Sequence, residues 1–168
     1  RDVDAFNKRV KSIYIPKAEF LIETLTELGE EPFSLKYMDL GAGAGYFLSA
    51  LKKIKLSNCS GYDVSQVQVE LGNNMLGEKI LHSHPLDEMS NIARNGDADV
   101  ICMMGVLEHL SNPREILKSI QENSKARYFY LSMPLYSASV YFEMIFPDIM
   151  QRHLDAGHTH LWTIESIN

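Results

Sequence analysis

Five short apolar runs alternate with stretches of helical periodicity between residues 35 and 134. The predicted strands are Lys36–Leu40, Asn58–Asp63, Lys79–His84, Asp99–Met104 and Arg127–Met133. Helices are predicted between them, near residues 45–55, 65–75, 87–95 and 112–123. Strands that are apolar on both faces and separated by helices indicate a parallel sheet covered on both sides. Because such crossovers are right-handed, we expect a doubly wound α/β fold with a mostly parallel sheet.

Two flanking regions complete what we expect to be a single domain of 168 residues. The N-terminal region, residues 1–31, predicts two helices that are divided by Pro16 and ended by Gly29. In the tail, residues 135–168, the aromatic and methionine side chains of Tyr136–Met150 indicate a lid on the substrate side. The same side chains also suit packing on the sheet or a subunit contact. Thr163 is the predicted N-cap of a last helix.

Charge and composition narrow the functional classes. With 16 basic and 22 acidic residues the net charge is -6, which disfavours general nucleic-acid binding. No apolar run approaches the length of a membrane span, and the polar segment Arg1–Val10 does not resemble a signal peptide. Cys59 and Cys102 lack metal-ligand spacing and are expected to be buried thiols, which is typical of a cytoplasmic protein.

The turn after the first predicted strand has the sequence Asp-Leu-Gly-Ala-Gly-Ala-Gly over residues 39–45. Glycines there permit a tight turn and close approach to a ligand, and the next helix presents free N–H groups. A nicotinamide fingerprint would require glycine at position 46, where this chain has Tyr46. Asp39 would repel a diphosphate and attract an ammonium group, so the loop favours a positively charged ligand. The alternative is a glycine-rich turn that binds nothing.

A second acidic residue, Asp63, ends the second predicted strand 22 residues after Gly41. A carboxylate at this position accepts the ribose hydroxyls of a bound nucleoside. The alternative is a surface aspartate that caps the following helix.

Residues 39–45, Asp63 and the segment Asp99–Leu110 together resemble the class I S-adenosylmethionine-dependent methyltransferases. The resemblance runs from about residue 35 to residue 163 and is closest to small-molecule methyltransferases of the ubiquinone-biosynthesis type and to relatives found with polysaccharide biosynthesis. It implies a Rossmann-like fold, S-adenosylmethionine as cofactor and S-adenosylhomocysteine (SAH) as product. Superfamily members usually finish the sheet with two further strands, which residues up to Asn168 cannot supply. We therefore expect the last strands to be missing, and a chain that begins at Arg1 to be a piece of a longer protein.

The resemblance places the cofactor-binding core in residues 35–134. The residues that it implies for the cofactor are Asp39, Gly41, Ala42, Gly43, Gly45, Asp63, Val64, Pro85, Leu86, Asp87, Met104, Gly105 and Val106. Residues 39–45 would hold the methionine part, Asp63 the ribose, and residues 104–106 the far side of the cofactor. Many relatives have an aspartate in place of Pro85, and we expect Asp87 to accept the adenine amino group instead.

Methyl transfer from a sulfonium is an in-line displacement, for which the protein mainly supplies orientation and exclusion of water. An alcohol acceptor also benefits from a base that removes its proton, and histidine suits that role. His158 is the leading candidate, followed by His160 and by His109 at the rim of the sheet. The alternative for each is a structural role, in which the imidazole binds loop carbonyls or holds a turn in place.

Some relatives have an acidic residue three positions before Glu108, which with Glu108, His109 and a later histidine binds a divalent metal. This chain has Gly105 at that position, so no metal is expected. The resulting hypothesis is methyl transfer to an oxygen of a small molecule, such as a sugar or quinone-precursor hydroxyl. The protein is expected to be cytoplasmic, and the sequence is compatible with a homodimer. The alternatives are a non-catalytic S-adenosylmethionine-binding scaffold or regulatory domain, and a nicotinamide-dependent oxidoreductase, which Tyr46 and Asp39 disfavour.

Overall fold

Five parallel strands form one sheet in the order β3-β2-β1-β4-β5. The computed structural model describes residues 3–146 and 158–167. The strands are β1 (Tyr37–Leu40), β2 (Cys59–Asp63), β3 (Leu81–Ser83), β4 (Val100–Met104) and β5 (Tyr128–Ser132). The helices are α1 (Val3–Arg9), α2 (Ile15–Glu27), α3 (Tyr46–Lys53), α4 (Gln66–Leu76), α5 (Met89–Asn95), α6 (Pro113–Gln121), α7 (Ala138–Ile145) and α8 (Ile164–Ile167). The predicted parallel α/β fold is therefore confirmed.

Helices cover the sheet on both faces, and the side chains of β1 show how the two cores are divided. Tyr37 packs with the core formed by α1–α4, whereas Met38 packs with the core formed by α5 and α6. Successive residues of a strand point to opposite faces, so a strand between two helical layers must be apolar on both. β1 and β4 are buried along their whole lengths, and their carboxyl ends flank the point where the strand order reverses. In an open α/β sheet that point is the ligand crevice.

The third strand is shorter than its predicted range of Lys79–His84. Asn73 on α4 explains its start, because its side-chain oxygen accepts hydrogen bonds from the N–H groups of Ile80 (3.1 Å) and Leu81 (3.0 Å). A side chain on a helix thus satisfies the N–H groups at the start of β3. The periodicity of the strand does not predict this interaction.

The N-terminal helices follow the prediction with one difference. Pro16 lies in the first turn of α2, where its missing N–H group needs no partner, but the two helices are joined before Pro16 by a π-helical turn over Val10–Tyr14. Gly29 ends α2 as predicted, at a left-handed φ of +82°. The N–H group of Gly29 donates to Thr26 (3.0 Å) and that of Glu30 to Leu25 (3.0 Å), which is the Schellman arrangement.

The tail returns to the sheet through Trp162. Its carbonyl accepts a hydrogen bond of 2.7 Å from the N–H group of Tyr136, and Leu135 and Trp162 form a parallel bridge. Thr163 caps α8 as predicted, since its hydroxyl oxygen accepts the N–H group of Ser166 at 3.2 Å. The predicted lid is described up to residue 146, and its remainder lies outside the described residues, as do residues 153–157 of the histidine cluster.

The two cysteines are buried free thiols, as the sequence predicts. Burial raises the pKa of Cys59 to about 11 and that of Cys102 well above its ordinary value, which keeps both thiols protonated. Within residues 3–146 and 158–167, the helices are all too short or too polar to cross a membrane.

Candidate active site

The glycine loop between β1 and α3 lies at the carboxyl edge of the sheet. Gly41 has a φ of +75°, and a Cβ atom built there would lie 2.4 Å from Cγ2 of Val106. Gly43 also has a left-handed φ, +54°, but a Cβ atom there would meet nothing within 4 Å. Gly41 is therefore required by conformation and by close packing, whereas Gly43 is required by conformation alone and leaves open space in front of the loop.

Asp63 joins the end of β2 to this loop. One carboxylate oxygen accepts the N–H group of Gly43 at 2.7 Å, and the other accepts the N–H group of Ser65 at 2.8 Å. The second bond leads into α4, where the Ser65 hydroxyl accepts the N–H group of Gln68. Ser65, and not Asp63, therefore caps α4, and each Asp63 oxygen keeps a further acceptor position for a ligand.

Asp39 is a buried carboxylate beside the same loop. Its side chain is 2% exposed, and its Oδ1 atom accepts no hydrogen bond from any described residue. Burial, and secondly the charge of Asp63, raises the pKa of Asp39 to about 8. Burying a carboxylate without a partner is costly, so a bound cation at Oδ1 would stabilise its charged form.

Two cavities meet at Gly41 and Asp63, which line both of them. The smaller, about 320 Å³, also contains Asp39 and residues 42–44. The larger, about 890 Å³, extends under Val64 and Leu86, apolar side chains that are 53% and 59% exposed. The arrangement suits a ligand with a charged amino-acid part in the smaller cavity and a nucleoside in the larger.

The predicted cofactor residues are distributed over these two cavities. Those that line the smaller cavity are Asp39, Gly41, Ala42, Gly43, Asp63 and Met104. Those that line the larger are Gly41, Asp63, Val64, Leu86, Asp87, Gly105 and Val106. Gly45 and Pro85 line neither: Gly45 precedes α3 and packs against Leu81, and Pro85 precedes a short 3-10 turn over Leu86–Glu88.

Tyr46, the residue that breaks the nicotinamide fingerprint, forms an aromatic wall of the smaller cavity. Its ring stacks on Phe6 at 4.6 Å and on Tyr14 at 5.6 Å, and the Arg9 guanidinium lies 5.0 Å from its centroid. Arg9, Tyr14 and Tyr46 line the cavity. Arg9 and Tyr14 are not predicted from the sequence, because only the docking of α1 and the π-helical turn on α3 brings them to the loop.

The candidate bases occupy two different places. His109 and His158 lie together, with ring centroids 4.8 Å apart, and His109 lines the larger cavity. His160 instead stacks on Trp162 at 5.7 Å. His158 and His160 therefore have different neighbours. His158 is outside the lining of both cavities.

Thr159 holds the tail against the turn over Leu107–His109. Its N–H group donates to the Glu108 carbonyl at 2.8 Å, and its hydroxyl lies within 3.0 Å of the carbonyls of Glu108 and Leu110. These contacts connect positions about fifty residues apart in the chain and place His158 beside His109.

Glu108 lies beneath the two imidazoles and is 3% exposed. Its Oε2 atom accepts no hydrogen bond from the described residues. Burial lowers the pKa of Lys17 on α2, and the nearby charge of Glu108 raises it by a smaller amount. The Lys17 ammonium donates to the Ser132 hydroxyl at 2.8 Å. A buried carboxylate, two imidazoles and an ammonium group thus lie near the carboxyl ends of β4 and β5.

Comparison with known proteins assigns the chain to a family. A family profile described as a methyltransferase domain matches residues 13–168. None of the curated proteins matches the sequence significantly.

Several solved structures have a similar fold. YcgJ from Bacillus subtilis is 19% identical, with a TM-score of 0.65 over 89% of this chain and 63% of its own. Magnesium protoporphyrin IX methyltransferase from Synechocystis, with bound SAH, is 15% identical, and its TM-score is 0.66. The match covers 95% of this chain and 72% of that protein. The plantazolicin methyltransferase BpumL, in complex with a desmethyl analogue and SAH, is 16% identical, and its TM-score is 0.63. The match covers 89% of this chain and 58% of BpumL. This chain therefore spans less than two thirds of YcgJ and of BpumL. From the profile match and the Rossmann-like sheet, the chain belongs to the methyltransferase-domain family.

Proposed function

We propose that this protein binds S-adenosylmethionine across the two cavities and transfers its methyl group to an oxygen of a small-molecule acceptor. The observation that carries the proposal is Asp39, a buried carboxylate with an unpartnered oxygen in a cavity beside the glycine loop. A diphosphate would be repelled there, whereas the α-ammonium group of S-adenosylmethionine would supply the missing partner. Structural relatives that are named as methyltransferases and contain SAH support the same cofactor.

The chain's own residues would hold this ligand at three points. Asp39 would bind the ammonium group, Asp63 would accept the ribose hydroxyls, and Val64 and Leu86 would pack against the adenine. Asp87 lines the same cavity as these apolar side chains and would accept the adenine amino group. Bound S-adenosylmethionine supplies the electrophilic methyl group on its sulfonium.

Acceptor activation would take place at the histidine pair. His109 lines the larger cavity and contacts His158, so an acceptor hydroxyl near the crevice could lose its proton to an imidazole as methyl transfer begins. A small organic acceptor agrees with the relative that is named for magnesium protoporphyrin IX.

The proposal is tested first by calorimetric titration of the protein with SAH and, separately, with NADH. We expect SAH to bind with one-to-one stoichiometry and NADH to show no binding. Failure of SAH to bind would overturn the proposal. Methyl transfer from labelled S-adenosylmethionine to a panel of small hydroxylated compounds then distinguishes an enzyme from a non-catalytic scaffold, which would bind SAH without turnover.

A further inference from the structure

We propose that Glu108, His109 and His158 form a site for a divalent transition-metal ion, with zinc as the best match. Each residue offers one ligand atom, and these atoms all lie within 4.8 Å of one another. A metal at these residues contradicts the expectation of no metal, which depended on Gly105. The acidic ligand at position 105 remains absent, and the tertiary structure brings the other three candidate ligands together without it.

The environment of Glu108 favours a bound cation. Its side chain is 3% exposed, and Oε2 lacks a hydrogen-bond partner in the described residues. Lys17, whose pKa the charge of Glu108 influences, donates its hydrogen bond to Ser132. An orphaned buried carboxylate oxygen is costly and calls for an explanation, and a cation shared with two imidazoles would provide one.

The tail that carries His158 is tethered to the turn over Leu107–His109. Thr159, next to His158, binds the Glu108 carbonyl through its N–H group at 2.8 Å and its hydroxyl at 3.0 Å. The main chain therefore holds the His158 imidazole at the Glu108 turn before any ion binds, which reduces the entropy cost of assembling the site.

Donor chemistry selects the metal. Two imidazoles and one carboxylate form a ligand set that suits zinc, whereas magnesium prefers oxygen ligands alone. Gly105 contributes no side-chain ligand, and a Cβ atom at this position would lie 3.5 Å from Oε1 of Glu108 at a strained φ of +72°. Tetrahedral zinc ligands lie about 3.4 Å apart, so binding requires a small inward rotation, which the exposed His109 side chain can make.

Three protein ligands leave one position of a tetrahedral ion open for water or an oxygen donor. Since His109 lines the larger cavity, that position would face the crevice. This part of the inference rests on the proposed function: the acceptor would be a small molecule that binds the metal through a hydroxyl, phenol or carboxylate oxygen. A metal-bound imidazole has no free lone pair for a proton, so with the ion bound His158 would act as a ligand and not as a base.

The test uses metal binding by the purified protein, without turnover. Zn²⁺ affinity is measured by competition with a chromophoric chelator, and Co²⁺ substitution is followed by visible d–d absorption. We expect one Zn²⁺ to bind per chain, and the d–d absorption of bound Co²⁺ to indicate a low coordination number. His109→Ala and His158→Ala should each weaken Zn²⁺ binding at least tenfold, while the matched variant His82→Ala, at an exposed histidine on β3 that lines neither cavity, should not change it.

His109→Ala changes an exposed side chain, so its result does not depend on the buried core, and circular dichroism checks the fold of every variant. Glu108→Gln should weaken Zn²⁺ binding and change the Co²⁺ band. Absence of stoichiometric Zn²⁺ binding, or an equal loss in His82→Ala, would overturn the inference. SAH affinity is measured on the same samples, so a protein that binds SAH but no Zn²⁺ refutes the metal site alone.

Discussion

The Asp63 carboxylate accepts the N–H group of Gly43 at 2.7 Å and thereby holds the glycine loop against the end of the second strand. The residue proposed to bind the ribose therefore also shapes the loop proposed to bind the methionine part. Removing its carboxylate should affect both ends of the ligand site.

Asp63→Ala should weaken SAH binding by about 1.5–3 kcal/mol, the usual range for hydrogen bonds to a charged group. Calorimetric titration measures the change. Asp97→Asn is a suitable control, because Asp97 pairs with the exposed Lys36 and Lys125 and lines neither cavity. Equal SAH affinity in wild type and Asp63→Ala would contradict the assignment.

Asp39 should make the stability of the ligand-free protein depend on pH. Its pKa is raised from 3.8 in the unfolded chain to about 8 in the folded protein, so between these values the folded state binds the additional proton. The free energy of unfolding contributed by this group should therefore be highest below pH 4 and fall as the pH rises through 8.

Asp39→Asn should remove this slope, because an amide does not titrate. Urea unfolding of both proteins at pH 5 and pH 8 gives the comparison: the stability of wild type relative to the variant should fall by at least about 1 kcal/mol, since one pKa unit corresponds to about 1.4 kcal/mol. A difference that is constant over this range would show that Asp39 is ionised throughout.

Gly41→Ala should destabilise the protein more than Gly43→Ala. Both residues have a left-handed φ, which costs an L-residue about 1–2 kcal/mol, but only at Gly41 would the new methyl group meet Val106, at 2.4 Å. Thermal and urea unfolding of the two variants isolates the packing contribution. The double variant Gly41→Ala/Val106→Ala should recover part of the loss, and equal destabilisation by the two single variants would argue against the close packing.

His158→Ala should lower turnover by about 10²–10⁴-fold, the usual contribution of a general base, while SAH affinity stays nearly unchanged. Loss of a metal ligand would also lower turnover, and the Zn²⁺ titration separates these causes. Trp162, which stacks on His160, offers a fluorescence signal for acceptor binding nearby. Full turnover in both His158→Ala and His160→Ala would make the tail structural and leave His109 as the candidate base.

Local features along the chain predict the sheet and the loop. Strands with two apolar faces, the glycines at residues 41–45 and Asp63 belong to one strand–turn–helix unit and its neighbour, so their spacing and chemistry are visible in the sequence. The helix end at Gly29 and the helix cap at Thr163 are also predicted from the sequence, because each depends only on residues a few positions away.

The tertiary structure decides what lies around those features. Arg9 and Tyr14 reach the loop only because the N-terminal helices pack on Tyr46, and His158 reaches His109 only because Thr159 binds the distant Glu108 turn. The raised pKa of Asp39 has a similar origin, since burial depends on every element packed around it. A sequence pattern specifies conformation over a few residues, whereas burial and long-range contact arise only when the whole chain closes around the site.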